Sequence, residues 1–188
     1  MLETARAIGL VRAGTLVLDS DDEITLVLDL CLHAARPGRS RAIDRLAHAS
    51  SFAAGSDEAV VMAAMQRARF SIWRVVRHYE AGGLVLEDTL RGGEAWLMDE
   101  GMSMSAEPDF QFVGRLCRPD MFVISTGVMV PFDTEVGDEM AERMTPALHA
   151  LAPSALADDY RFAQLLYRAC VVTNAMEGVV FLNTPMAA

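Results

Sequence analysis

Residues 70–79, FSIWRVVRHY, and residues 110–118, FQFVGRLCR, decide the fold of this chain. In the second stretch every other side chain belongs to one apolar face, which is the period of a β-strand. The first stretch is apolar on both sides, so it predicts a central strand with a sheet core on one side and helices on the other. Gly, Pro and Asp interrupt the chain between and after the two stretches, as they do between short antiparallel strands.

Turn-forming residues join the apolar runs of this region into hairpins. Pro119 and Asp120 follow the stretch 110–118, and the sequence RGGE at 91–94 separates two further runs. With the leading strand, these hairpins predict about five antiparallel strands within 69–132. Such strands curl into a small barrel or a twisted sheet, because a flat sheet would expose one apolar face and two edges.

Both flanks of the β-region have the 3.6-residue period of amphipathic helices. Small polar residues before the periodic runs predict the helix starts, at Ser20, Ser40, Ser56, Asp133 or Thr134, and Thr145. The sequence SDDE at 20–23 is a capping-box pattern, and its helix should stop at Pro37 and Gly38. A last, long helix is predicted over 156–174.

These patterns predict an α+β fold, in which a small five-stranded antiparallel barrel or twisted sheet is flanked by N- and C-terminal helices. We expect one integrated domain over 1–188, since a chain of this length is enough for one good core. Within it we distinguish a helical arm at 1–68, a β-module at 69–132 and a second helical arm at 133–188.

The charge balance disfavours nucleic acid as a partner. The chain has 26 acidic and 16 basic residues, for a formal net charge of −10, whereas a phosphate backbone attracts clustered positive charge. All 16 basic residues are arginine. Without lysine the chain has no side-chain amine for a Schiff base, for pyridoxal phosphate or for a P-loop, so enzymes of those classes are excluded.

Cysteine usage and hydropathy predict a cytoplasmic protein with no membrane partner. Cys31, Cys117 and Cys170 are odd in number and far apart, so they predict neither a disulfide framework nor a CxxC pair. Glu3 precedes the first basic residue, unlike the pattern of a signal peptide. No apolar stretch approaches the roughly 18 residues of a membrane span.

The residues that bind metals are scattered along the sequence. Cys31 and His33 are the one close Cys and His pair, and two residues apart on a helix they point to different sides. A structural zinc ion needs four ligands at suitable spacings. We therefore predict no metal site and no cofactor.

Acidic residues of the β-module are candidates for binding or for acid–base chemistry. Asp88, and Asp99 with Glu100, follow the ends of neighbouring predicted strands, which would allow a carboxylate pair. Turns and solvated faces produce the same pattern, so both interpretations stay open. Ser103 lies in GMSMS, which approaches a nucleophile elbow but lacks its final glycine, and a loop between strands explains it equally well.

Basic residues of the module predict a second candidate site. Arg74, Arg77 and His78, near Arg115, would form a small basic strip beside aromatic side chains on which bases could stack. This strip supports an RNA-binding small barrel, which the acidic net charge opposes.

The β-module also resembles a small β-domain of uncharacterised bacterial proteins, some of which carry SEC-C-type zinc tails. The resemblance lies in the pattern GLxLxDxLxGG, then xDExxS, then an arginine in the fourth strand. The residues that carry it are Gly83, Leu84, Leu86, Asp88, Leu90, Gly92, Asp99, Glu100, Ser103, Arg115 and Leu116. It covers about a third of the chain, without the paired cysteines of a zinc tail, and implies a fold with no assigned activity.

The function that these observations favour is a cytoplasmic protein-interaction or regulatory module. Its supporting feature is an excess of Met, Val and Leu over what one small barrel can bury, which predicts an exposed apolar face for a partner protein or for a second copy. An enzyme that uses carboxylates or serines at the barrel rim is the first alternative. An RNA-binding small barrel is the second.

Overall fold

The computed structural model describes residues 1–20, 22–35 and 38–177. Asp21 of the predicted capping box and Pro37 of the predicted helix stop lie outside these described residues. The helices are α1 (Leu2–Ala7), α2 (Glu23–His33), α3 (Ala42–Ala49), α4 (Asp57–Gln66), α5 (Glu100–Ser105), α6 (Thr134–Arg143), α7 (Pro146–His149), α8 (Pro153–Asp158) and α9 (Tyr160–Val172). The strands are β1 (Val11–Arg12), β2 (Thr15–Leu16), β3 (Arg69–His78), β4 (Leu84–Asp88), β5 (Glu94–Leu97), β6 (Gln111–Cys117) and β7 (Ile124–Pro131).

The main sheet has five antiparallel strands in the order β5-β4-β3-β6-β7. The doubly apolar strand β3 is central, as predicted, and lies between β4 and β6. Trp73 faces Asp88 on one neighbour and Phe112 on the other. The α+β class and the five antiparallel strands are therefore confirmed.

Of the two predicted forms, a small barrel or a twisted sheet, the barrel is wrong, because the sheet does not close. One isolated bridge, between Leu97 and Val123, joins β5 to the segment before β7. It rests on two hydrogen bonds, from Met98 N to Val123 O at 3.0 Å and from Val123 N to Trp96 O at 2.7 Å. No ladder continues from it within the described residues, because β5 has only four residues and the chain then turns away into α5. The sheet stays open.

Two apolar cores lie on opposite faces of the sheet. On one face, Phe70, Ile72 and Val113 share a cluster with side chains of both helical arms, including Leu26 and Leu166. Because these arms cover one face only, the opposite face needs another cover. There Trp73, Leu86 and Phe112 form a second cluster, against which Met102 of α5 packs. Helix α5 thus covers part of this second face, which a closed barrel would have enclosed.

Local hydrogen bonds between side chains and backbone correct two of the predicted helix boundaries. The hydroxyl of Ser20 is buried without a partner among the described residues, and the capping contact runs the other way, from the amides of Asp19 and Ser20 to the Glu23 carboxylate. The long C-terminal helix is broken at Asp159, whose side chain accepts from the Arg161 amide and so starts α9. In contrast, Ser56 caps α4 as predicted, by accepting from the Ala59 amide.

No helix within the described ranges combines the length and apolarity that a membrane crossing requires.

Gly114 is required by the close approach of β6 and β7. A Cβ at this position would lie 2.4 Å from the carbonyl oxygen of Val128, which is far inside van der Waals contact. We expect G114A to lower the free energy of unfolding by about 1–3 kcal/mol, because backbone of the neighbouring strand must shift. Urea unfolding measures the effect, with G101A as the control, since a Cβ at Gly101 meets nothing closer than 3.6 Å. Equal stability of the two variants would contradict the expectation.

Candidate functional site

An open cleft of about 530 Å³ lies on the face of the sheet that carries Trp73 and Val123. Its charged lining residues are Arg67, Arg69, Asp88, Glu94, Arg118 and Asp120. We call this recess the arginine cleft. Two consecutive glycines of the β4–β5 turn, Gly92 and Gly93, form part of its wall, so backbone as well as side chains borders the opening.

The strand register explains why the arginines meet. In the antiparallel pair β3 and β6, Arg69 lies opposite Leu116. Arg67 precedes Arg69 by two residues, and Arg118 follows Leu116 by two residues. Arg67 is the C-cap of α4, and Arg118 directly follows the last residue of β6. The start of β3 and the end of β6 therefore bring all three arginines to the lining of the cleft.

These three arginines have no ionic partner among the residues that the structure describes. Arg67, Arg69 and Arg118 are exposed, and none belongs to an ion pair with a described acid. Arg118 makes one long contact, from Nη1 to the carbonyl oxygen of Met121 at 3.5 Å. Guanidinium groups in this state are available to bind a carboxylate or phosphate from outside the chain.

The acids of the cleft do not neutralise the arginines. Glu94 is paired with Arg77 at 3.2 Å. Asp88 is buried and fully occupied by other donors. Asp120 is left as the one cleft acid without a described ionic partner. Among the described residues, three positive charges without an ionic partner against one such negative charge make the cleft positive, although the whole chain carries a formal net charge of −10.

Asp88, a predicted site residue, organises the wall of the cleft. Its Oδ1 accepts from the Ser71 hydroxyl at 2.5 Å, from the Leu90 amide at 3.1 Å and from the Arg91 amide at 3.0 Å. Its Oδ2 lies 3.4 Å from the Arg91 guanidinium. The two amide hydrogen bonds to this carboxylate order the β4–β5 turn. Whether it also contacts a ligand stays a prediction.

Arg115, another predicted site residue, lies on the opposite face of the sheet, under the helices. It is 7% exposed, and its Nε and Nη2 donate to the two carboxylate oxygens of Asp29 at 2.9 and 3.1 Å. The Tyr167 hydroxyl donates to the same carboxylate at 3.1 Å, and the guanidinium lies over the Phe70 ring. Burial and the neighbouring Asp29 carboxylate raise the pKa of Tyr167 well above its usual value. This buried network ties α2 and α9 to the sheet.

The other members of the predicted basic strip are not free cations. Arg74 donates from Nε to Glu87 at 3.0 Å, and Arg77 pairs with Glu94 at 3.2 Å. His78 is exposed at the end of β3. Arg115 is buried and paired with Asp29, so it adds no free cation to the strip. Any binding role for them individually stays a prediction.

Asp99, Glu100 and Ser103 belong to helix α5, where the sequence favoured a loop. Asp99 is the N-cap and accepts from the Met102 amide at 2.8 Å, while the Ser103 hydroxyl donates to the Asp99 carbonyl oxygen at 2.5 Å. Glu100 lies in the first turn of this helix. Asp99 thus caps the helix and Ser103 bonds to its backbone, while none of the three lines the arginine cleft. A binding role for these residues stays a prediction.

An exposed apolar patch adjoins the cleft through the loop between β6 and β7. The rings of Tyr79 and Trp96 are 4.7 Å apart, and Phe122 packs edge-on against Trp96 at 6.1 Å. Met98 is 45% exposed and Met121 is 76% exposed. We call these five residues the Trp96 patch. The same loop carries Arg118 and Asp120 of the cleft.

Metal and thiol chemistry receive no support from the described residues. Within 1–20, 22–35 and 38–177, no group of three or more His, Cys, Asp and Glu side chains could hold a metal ion. Burial raises the pKa of the Cys117 thiol, and it raises that of Cys170 to about 12. Both thiols are therefore protonated and unreactive near neutral pH.

Sequence reasoning missed Arg67, Arg69 and Arg118 as site residues. Arg67 and Arg69 lie at the end of the helix predicted from Ser56, and Arg118 ends the predicted strand 110–118. A charged residue is common at such ends and carries no signal of its own. The pairing of β3 with β6 brings these residues together. An explicit pairing of stretch 70–79 with stretch 110–118 would have predicted this.

The comparisons with known proteins add a family and no activity. No curated protein and no solved structure matches the chain. The predicted resemblance to SEC-C-associated proteins is not shown, whereas the prediction of a family of unknown function is confirmed. One family model, described as "Family of unknown function (DUF7986)", matches residues 1–167. Since this match covers most of its length, the chain belongs to that family of unknown function.

Proposed function

We propose that the protein is a cytoplasmic interaction module that binds an acidic segment of a partner protein in the arginine cleft. The observation that carries the proposal is the set of three unpaired guanidinium groups, of Arg67, Arg69 and Arg118, in a protein of formal net charge −10. Carboxylates of a partner would pair with them bidentately. The acidic remainder of the surface would repel an acidic segment at other positions, and so favour binding of that segment in the cleft.

The Trp96 patch supports a polypeptide rather than a small anion as the occupant. A small anion in the cleft would leave Met98, Met121 and Tyr79 exposed to water. A segment that continues past the rim would cover them and bury apolar area, which is the main favourable term in most associations. We therefore expect the partner segment to have apolar residues next to its acids.

The cytoplasmic location in the proposal rests on composition. Three free cysteines, Cys31, Cys117 and Cys170, favour a reducing compartment such as the cytoplasm. A bacterial origin stays a prediction from the resemblance of the β-module.

A fluorescence-anisotropy titration tests the proposed function. The probe is a labelled peptide in which glutamates are interspersed with leucine and phenylalanine, and the control peptide has glutamine in place of each glutamate. We expect R118Q and R67Q to weaken binding of the acidic peptide by roughly tenfold each, and we expect added salt to weaken it further. The matched control is R143Q, since Arg143 is paired with Glu139 on α6, away from the cleft.

Other results would contradict the proposal. Equal binding by R118Q and by the unaltered protein would remove the cleft from the interaction. Tighter binding of a labelled single-stranded RNA than of the acidic peptide would favour a nucleic-acid site. A dimer in light scattering that dissociates in R118Q would identify a second copy as the occupant instead of a different protein.

A further inference from the structure

A second recess, separate from the arginine cleft, lies between the helices and the sheet. It has a volume of about 300 Å³, and α2, α8, α9 and β3 contribute to its lining. Its polar lining includes His33, Arg69, Arg91, Arg115 and Asp158. We call it the His33 cavity. Since one water molecule occupies roughly 30 Å³ in the liquid, the cavity has room for a small organic ion or a phosphate.

Arg115 presents a donor to this cavity. Its Nε and Nη2 are both used by Asp29. Its Nη1 has no acceptor among the described residues, and this nitrogen is not fully buried. A guanidinium that is 7% exposed overall and keeps one nitrogen open is a directed donor for an oxygen atom in the cavity.

His33 is the second unpaired group. The side chain is 5% exposed, and neither ring nitrogen has a hydrogen-bond partner in the described part of the chain. Burial, together with the nearby Arg115 charge, lowers the pKa of His33 to about 4, so the ring is neutral near pH 7 and has one N–H donor. A buried donor without an acceptor is costly. A turn of the ring toward the cavity that it already lines would give this N–H access to a bound oxygen atom.

The remaining charges of the lining favour an anion. Arg91 donates to the Phe70 carbonyl and is paired with Asp158, so that acid is already neutralised. Asp159, which also lines the cavity, is paired with Arg161. Arg69 has no ionic partner among the described residues. The open guanidinium nitrogens therefore outnumber the open carboxylates.

We propose that the His33 cavity is a binding site for a small oxyanion, a carboxylate or a phosphate, which accepts hydrogen bonds from Arg115 Nη1 and from the His33 ring. The site is independent of the proposed partner-binding function, because it lies on the other face of the sheet. Arg69 is the one charged residue common to both recesses, so it is not used to test either.

Proton–nitrogen NMR of the histidine rings tests this site near pH 7. Sodium acetate and inorganic phosphate are titrated in separate experiments to about 50 mM, against sodium chloride of equal ionic strength. We expect at least one of the two anions to move the His33 ring signals saturably, while those of His48, His78 and His149 stay in place. Acetate alone points to a carboxylate ligand, and phosphate alone points to a phosphorylated one.

Two variants locate the response. Ala157 is buried and lines the cavity, so A157V should reduce the anion affinity by at least roughly tenfold by filling space. R118Q, which disables the arginine cleft, should leave the His33 response unchanged. The inference is overturned if neither anion moves the His33 signals, or if sodium chloride moves them equally. It is also overturned if R118Q abolishes the response, since the anion would then bind in the other recess.

Discussion

Removal of the Asp29 carboxylate in D29A is expected to lower the free energy of unfolding by about 3–5 kcal/mol. Asp29 is 5% exposed and accepts from Arg115, Tyr167 and, at 3.4 Å, Thr126. The substitution leaves the Arg115 guanidinium buried without a counter-charge and the Tyr167 hydroxyl without an acceptor. Urea unfolding monitored by circular dichroism measures the loss.

A half-buried ion pair on α3 provides the control. Asp44 is paired with Arg41 at 2.7 Å, with 34% of the Asp44 side chain exposed, so D44A should cost about 1 kcal/mol or less. The double substitution D29L with R115M should recover most of the stability lost in D29A, because it removes the unpaired charge as well. A loss in D29A no larger than that in D44A would show that the buried network contributes little.

Acidification from pH 7 to pH 4 is expected to cost the protein about 3 kcal/mol through His33 alone. The pKa of His33 is lowered from 6.5 to about 4 by burial and by the Arg115 charge. Between these two values the unfolded chain binds a proton at His33 and the folded protein does not. The contribution of His33 to the free energy of unfolding is therefore fully present above pH 6.5 and is lost as the pH falls toward 4. One unit of pKa shift corresponds to roughly 1.4 kcal/mol.

The difference between variants isolates this effect from the titration of the carboxylates. H33Q keeps a polar side chain that does not titrate in this range, so its stability should fall with pH by about 3 kcal/mol less than that of the unaltered protein. H78Q is the matched control, because His78 is exposed, and its pH profile should follow the unaltered protein. Parallel profiles for H33Q and the unaltered protein would contradict the expectation.

The two recesses differ in how far the sequence predicted them. The β-module was predicted from alternating residues, and β3 and β6 lie where that pattern placed them. Asp88 and Arg115 were predicted as site residues because they are polar within this module. The structure places Asp88 at the arginine cleft and Arg115 at the His33 cavity, on opposite faces. Alternation assigns a residue to one of two faces, but it does not say which face the helices cover.

The partners of the buried charges could not be predicted from local pattern. Asp29 and Arg115 are 86 positions apart, and Asp29 and Tyr167 are 138 positions apart. Asp29 is the one acid in the mostly apolar stretch 24–32 of α2, which by itself suggests a solvated position. Its burial follows from α2 packing between β7 and α9. The same packing turns His33 from a surface residue into a buried, unpaired one.

Local periodicity by itself determined that this chain forms a central doubly apolar strand, four further antiparallel strands and helices on both flanks. It could do so because side-chain alternation and helix capping act over a few residues. Tertiary structure alone decided that the sheet stays open, since the short strand β5 ends in α5 before a ladder to β7 can form. It also decided which arginines remain unpaired. That outcome depends on which acids the fold brings close to each guanidinium. The distance in space between an arginine and an acid far along the chain cannot be read from a short stretch of sequence.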